Sequence, residues 1–152
     1  MRKTFEAAIR RLSAKKNKEP DEQDLRIAAA SLLVHAAMID GVYEEAEHER
    51  LHELLQNRFD LEDAATAELL EEAKEREANA VDIYSFTRVL TKQMGQEERQ
   101  GIVEMLWEVV FADGQMHEYE SNLVWRASEL LGVGRRDRLR LRDKIRRNHK
   151  SE

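Results

Sequence analysis

The sequence predicts an all-α fold: a single compact bundle of about seven to eight helices in two pseudo-symmetric halves. Three observations carry this. One proline and six glycines in 152 residues leave few places to turn a chain into sheet. Charged residues make up 37% of the chain and hydrophobic residues 41%, a balance that suits long amphipathic helices. A short stretch is also written twice. Ala36-Ala37-Met38-Ile39-Asp40-Gly41-Val42-Tyr43-Glu44-Glu45-Ala46-Glu47 has a counterpart in Val109-Val110-Phe111-Ala112-Asp113-Gly114-Gln115-Met116-His117-Glu118-Tyr119-Glu120. The offset is 73 residues without a gap, and an internal repeat of this kind fixes architecture.

The elements follow in order. Met1 to Lys16 reads as a first helix, with Phe5, Ala8, Ile9 and Leu12 on one face. Asn17-Lys18-Glu19-Pro20 breaks it, because the residue before a proline is biased away from helix. Asp21, with Asp24 three residues on, caps a second helix that runs to about Ile39. Its second half, Ile27 to Ile39, is apolar nearly all round, as in a helix at the centre of a bundle. Gly41 suits the left-handed position that ends a helix.

A third helix starts near Glu44 and turns Leu51, Leu54, Leu55 and Phe59 inward. Asp60 is expected to cap a fourth, from about Leu61 to Ala78, with Ala65, Leu69, Leu70 and Ala73 inside. A fifth starts at Asp82, carries Ile83, Phe86, Val89, Leu90 and Met94, and ends at Gly95. The sixth, about Glu97 to Ala112, is the counterpart of the second, with Ile102, Val103, Leu106, Val109 and Val110 as its core. The seventh follows the second Asp-Gly and buries Leu123, Val124, Ala127, Leu130 and Leu131. After a turn at Leu131 to Gly134, a basic eighth helix places Leu139, Leu141 and Ile145 inside, and His149 to Glu152 form a tail. No flexible linker separates the halves. The expectation is one domain over residues 1–152, with repeats at about 21–79 and 96–148.

Composition excludes several function classes. There is no cysteine, which removes disulfides, thiolate metal sites and thiol nucleophiles. The longest apolar run, Ile27 to Ile39, falls short of the about 20 residues a spanning helix needs. Met1-Arg2-Lys3-Thr4-Phe5-Glu6 begins an ordinary amphipathic helix rather than a signal peptide. The reading is a soluble cytoplasmic protein. The net charge of −6 is unevenly spread: residues 1–18 and 134–152 each carry +6, leaving −18 between them. Basic ends on an acidic body can touch anionic lipid or a partner, or pair with the body itself. Nucleic acid is disfavoured, because only Phe5 supplies an aromatic ring to either basic stretch and no reading motif stands out.

Two carboxylate sets are the candidate sites. Asp40 ends a helix and Glu45 and Glu47 open the next; Asp113, Glu118 and Glu120 repeat the arrangement. Hard divalent cations want several oxygen ligands, so Ca²⁺, Mg²⁺ or Mn²⁺ fits such a set. The same residues also serve as helix caps and macrodipole partners. The spacing from Gly41 to Glu47 and from Gly114 to Glu120 overlaps the second half of an EF-hand loop. The upstream ligand positions would be Ala36 and Met38, or Val109 and Phe111, which cannot ligate, so an EF-hand is rejected. His48-Glu49-Arg50-Leu51-His52 matches the zinc-peptidase pattern, but Arg50 lies inside it and the other half has Ser121, Asn122 and Trp125 at the equivalent positions. His35, in the apolar helix, reads as a hydrogen-bonded core residue, with a proton-sensitive switch as the alternative.

Leu33-Val34-His35-Ala36-Ala37-Met38-Ile39-Asp40-Gly41 and Trp107-Glu108-Val109-Val110-Phe111-Ala112-Asp113-Gly114, with Glu47 and Glu120, resemble the TerB (tellurite-resistance) domain family over about residues 25–147. The resemblance implies a non-enzymatic stress-response or interaction module, with a protein partner, membrane-associated in some members. It implies candidate metal positions at Asp40, Glu47, Asp113 and Glu120, and at Glu45 and Glu118. On this reading the chain is cytoplasmic and docks on a protein or at the inner face of the membrane. The rival readings are a purely structural interaction module without metal and, more remotely, a zinc peptidase through His48 and His52.

Overall fold

A computed structural model of the chain describes residues 21–39, 43–112 and 118–150, leaving aside the side chains of 118–121 and 149–150. The expected helix over Met1–Lys16 and the two Asp-Gly turns lie outside the described residues. Seven helices are present among those described, and no strand: α1 Glu22–Met38, α2 Glu45–Phe59, α3 Asp63–Asn79, α4 Tyr84–Gln93, α5 Gln96–Val110, α6 Glu118–Leu130 and α7 Arg135–Lys150.

The start of α1 is set by a capping box. The Asp24 amide donates to Asp21 Oδ1 at 2.8 Å, and the Asp21 amide donates back to Asp24 Oδ2 at 3.1 Å. From Ala28 to Ala37 only His35 is not fully buried. The alanines let neighbours close in on every side, and α1 packs against α2, α3, α4 and α5. The hydroxyl of buried Ser31 donates to Ile27 O at 2.7 Å, so this buried polar group has a partner.

The expected symmetry appears in the packing. Helix α1 packs on α2 and α3, which follow it, as α5 packs on α6 and α7. The two central helices pack against each other, and α4 bridges α1 and α6. Leu33 and Leu106, equivalent at the offset of 73, are both fully buried. Indole Nε1 of buried Trp107 donates to Arg138 O at 3.1 Å and ties α5 to α7.

Several local expectations are corrected. Asp60 does not open α3; it closes α2 in the left-handed region at φ 52°, donating its amide to Gln56 O. A short polar side chain tolerates that conformation better than most. Gly95, expected to end the fifth helix, is the extended residue that opens α5, and α4 ends at Gln93. Among the described residues the glycine in the left-handed region is Gly132, at φ +71° in the α6–α7 turn. Ala65 is exposed, and Thr66 takes the inward position, its hydroxyl donating to Glu62 O at 2.8 Å. Leu130 is exposed beside buried Leu131, and α7 continues through the expected tail to Lys150.

Candidate functional site

The segment after the first Asp-Gly turn is built around Tyr43. Its ring is half-buried and meets His48 edge-on, with centroids 6.2 Å apart, and its hydroxyl shares a hydrogen bond with His48 Nδ1 at 3.3 Å. The Lys74 ammonium of α3 sits 5.1 Å above the Tyr43 ring, within cation–π range. Burial first, then the negative charges of Glu47 and Glu71, push the phenol up to about 12. Tyr43 therefore stays protonated, and two carboxylates from different helices act on one hydroxyl.

Of the six candidate ligands, Glu45 and Glu47 have described side chains. Both lie in the first turn of α2, Glu45 exposed and Glu47 half-buried. Glu47 Oε2 accepts the Glu44 amide at 2.6 Å, so one of its oxygens caps the helix. Glu118 and Glu120 lie in the first turn of α6, the equivalent place. Asp40 and Asp113 lie outside the described residues. The donors that can be placed fit a hard cation in kind, being carboxylates beside a turn. Among the described residues no group of three or more His, Asp or Glu side chains forms a ready metal cluster.

The structure adds Glu71 and Lys74, which sequence reasoning missed. They sit on the face of α3 next to its inward residues, so periodicity alone gave no reason to bring them to the turn. Lys74 makes an ion pair of 3.5 Å with Glu71. The second half has a parallel feature. Phe111, just before the second turn, stacks on Trp107 with centroids 5.7 Å apart, and Arg146 of α7 lies 5.7 Å from the Phe111 ring. In both halves the third helix places a cation on an aromatic ring flanking the turn.

The remaining motifs find ordinary partners. His48 is engaged with Tyr43, and the described residues bring no third metal ligand to His48 and His52. Trp125, at the position equivalent to His52, is 48% exposed. His35 Nδ1 contacts Glu77 Oε1 at 3.1 Å and joins α1 to α3. Much of the basic charge of α7 meets acids of this chain: Arg140 with Asp137, Arg142 with Asp143, and Lys144 with Glu104 at 3.1 Å. Buried Arg138 is 3.8 Å from Glu129, and burial lowers its pKa while Glu129 opposes the shift.

Residues 26–143 match the family described as tellurite resistance protein TerB. The chain belongs to the TerB family. The matched span includes both turns and all but the edges of the bundle. Among solved structures, this TerB protein is similar to a protein of unknown function, PG1108, from Porphyromonas gingivalis W83. The TM-score is 0.59 at 17% identity, covering 83% of this chain and 98% of that one, and the likeness is one of fold. No curated protein matches the chain. No helix among the described residues is long and apolar enough to cross a membrane.

Proposed function

We propose that this TerB protein is a non-enzymatic interaction module that takes a divalent cation, Ca²⁺, Mg²⁺ or Mn²⁺, at its acidic turns. In this reading Asp40, Glu45 and Glu47 supply oxygen ligands in one half, and Asp113, Glu118 and Glu120 in the other. With the ion bound, the turn docks on a protein partner in the cytoplasm or at the inner face of the membrane. The observation that carries the reading is the place of Glu45 and Glu47 in the first turn of α2, just after the repeated Asp-Gly, with Glu118 and Glu120 in the first turn of α6. Hard divalent cations take several oxygen ligands, and such carboxylates supply them.

A thermal melt of EDTA-treated protein, repeated with each ion, tests the proposal. A ligand that binds only the native state raises apparent stability. The expected result is a rise with at least one ion that vanishes when Asp40→Asn and Asp113→Asn are combined. A rise that persists in that double variant sinks the site assignment.

A second reading is favoured by the hydrogen bond from the Glu44 amide to Glu47. In it the acids are helix caps and the module is purely structural. It expects no ion to change the melt, and Glu47→Ala to cost about 1 kcal/mol whether or not metal is present.

A further inference from the structure

The two halves carry opposite charge on the same outer face. Helices α3 and α7 are the third helices of their halves, and burial sets their mutual register. Thr66, Leu69 and Ala73 face inward in α3, and Arg138, Leu141 and Ile145 do so in α7, with the same spacing. In this register the outer ridge of α3, Ala64, Glu68, Glu71 and Glu75, corresponds to Arg136, Arg140, Asp143 and Arg147 of α7. All eight residues are exposed. Over its whole length α3 carries six acids against two bases, and α7 nine bases against two acids. The outer surface of α3 is open here, presenting Ala67, Glu68, Glu71, Glu72, Lys74 and Glu75 among the described residues.

We propose that the basic outer ridge of α7 docks on the acidic outer ridge of α3 in a second copy of this chain. Charge selects this occupant. In the shared register Glu68 and Glu75 stand where Arg140 and Arg147 do, while Glu71 stands where Asp143 does, so two helices laid side by side can pair at places two turns apart. An anionic bilayer would engage α7 alone and leave the acidic ridge of α3 without a partner. The ion pairs now made within each helix, such as Glu71 with Lys74 and Arg140 with Asp137, are short-range surface pairs. Such pairs contribute little and exchange readily for intermolecular ones. Because the contact joins two different surfaces, it does not close on itself, and association is open-ended. The proposal rests on the interaction half of the reading above and is independent of metal.

The test is sedimentation of the full chain in EDTA, which separates its outcome from that of the metal proposal. At about 0.01 M salt, where the Debye length is about 30 Å, the weight-average mass is expected to rise with concentration above 17.8 kDa. At about 1 M salt, where that length is about 3 Å, the chain is expected to be monomeric. A variant with Glu68→Gln, Glu71→Gln and Glu75→Gln, and one with Arg136→Gln, Arg140→Gln and Arg147→Gln, should each be monomeric alone. Mixed, they keep one intact acidic and one intact basic ridge, and should give a 1:1 complex that grows no further. Circular dichroism confirms that both variants fold. A wild type that stays monomeric, association that survives in either variant, or a mixture that stays monomeric overturns the proposal. So does a monomeric wild type that binds phosphatidylserine vesicles through the three arginines, because the face would then read lipid.

Discussion

Leu33→Ala and Leu106→Ala test whether the halves share one core. The two leucines occupy equivalent positions on α1 and α5, both with no exposed surface, and the helices that carry them pack against each other. Each substitution removes the same buried atoms and leaves the same kind of cavity. Leucine-to-alanine changes at such sites cost about 2–5 kcal/mol, the spread depending on how far the surroundings collapse. For a domain of this size each kcal/mol lowers the midpoint by about 2–4 °C. The expected loss is therefore about 4–20 °C for either variant, read by calorimetry as one transition that moves as a whole. Around Leu33, the flanking Ala29, Ala30 and Ala37 offer little side chain to fill the gap. Leu106 has Ile102, Val103 and Val110 on neighbouring turns. Leu33→Ala should accordingly lie at the upper end of the range and Leu106→Ala lower. Two resolved transitions, with only one displaced by each substitution, would refute the shared core.

Three further outcomes are expected. The phenol of Tyr43 has a folded pKa of about 12 against 10.0 for the free group, so the native state favours its neutral form. That contribution is fully present below pH 10 and is lost as pH rises through 12. Tyr43→Phe should therefore lose less stability than the wild type between those limits, as read from urea midpoints; parallel curves would contradict the assigned environment. Trp107→Phe removes the donor to Arg138 O and part of a buried ring, and should cost about 1–3 kcal/mol in denaturant unfolding. Gly132→Ala places a Cβ on a residue at φ +71° and 2.8 Å from Arg99 Nη1, a group that donates to Leu131 O. Its cost should be about 1–2 kcal/mol, mainly from the left-handed backbone; a stabilised variant would show that the turn can relax.

The helical skeleton was legible because hydrophobic spacing and caps agreed at most places. Asp21 with Asp24 announced the start of α1, and the run from Ala28 announced its burial. The misses fall where two signals competed for one residue. Asp60 is as good at closing a helix in the left-handed region as at opening one, and the sequence offers no tie-breaker. Ala65 and Thr66 differ by about 100° on the helix. Propensity favours alanine inside, yet Thr66 goes in because its hydroxyl is satisfied by Glu62 O of the preceding turn. Leu130, expected inside together with Leu131, stays exposed at the end of its helix while Leu131 is buried.

The site was legible as a list of acids and not as an arrangement. Local repetition shows which residues recur near a turn, but not which side chains of a third helix return to it. Glu71 and Lys74 reach Tyr43 only because α3 packs back along α1, and Arg146 reaches Phe111 because α7 does the same along α5. The offset of the turns also misleads there. Carried into the third helices, 73 residues would pair buried Leu69 with half-buried Arg142. Burial pairs Leu69 with Leu141 and Ala73 with Ile145, an offset of 72. One residue of slip rotates a helix by about 100°. At the wrong offset Glu71 faces Lys144 and Glu68 faces buried Leu141, so no common ridge is visible. At the right one Glu68 and Glu75 of α3 fall where Arg140 and Arg147 of α7 do, cations fall on the aromatic rings in both halves, and the charge asymmetry of the chain becomes a property of two corresponding outer surfaces.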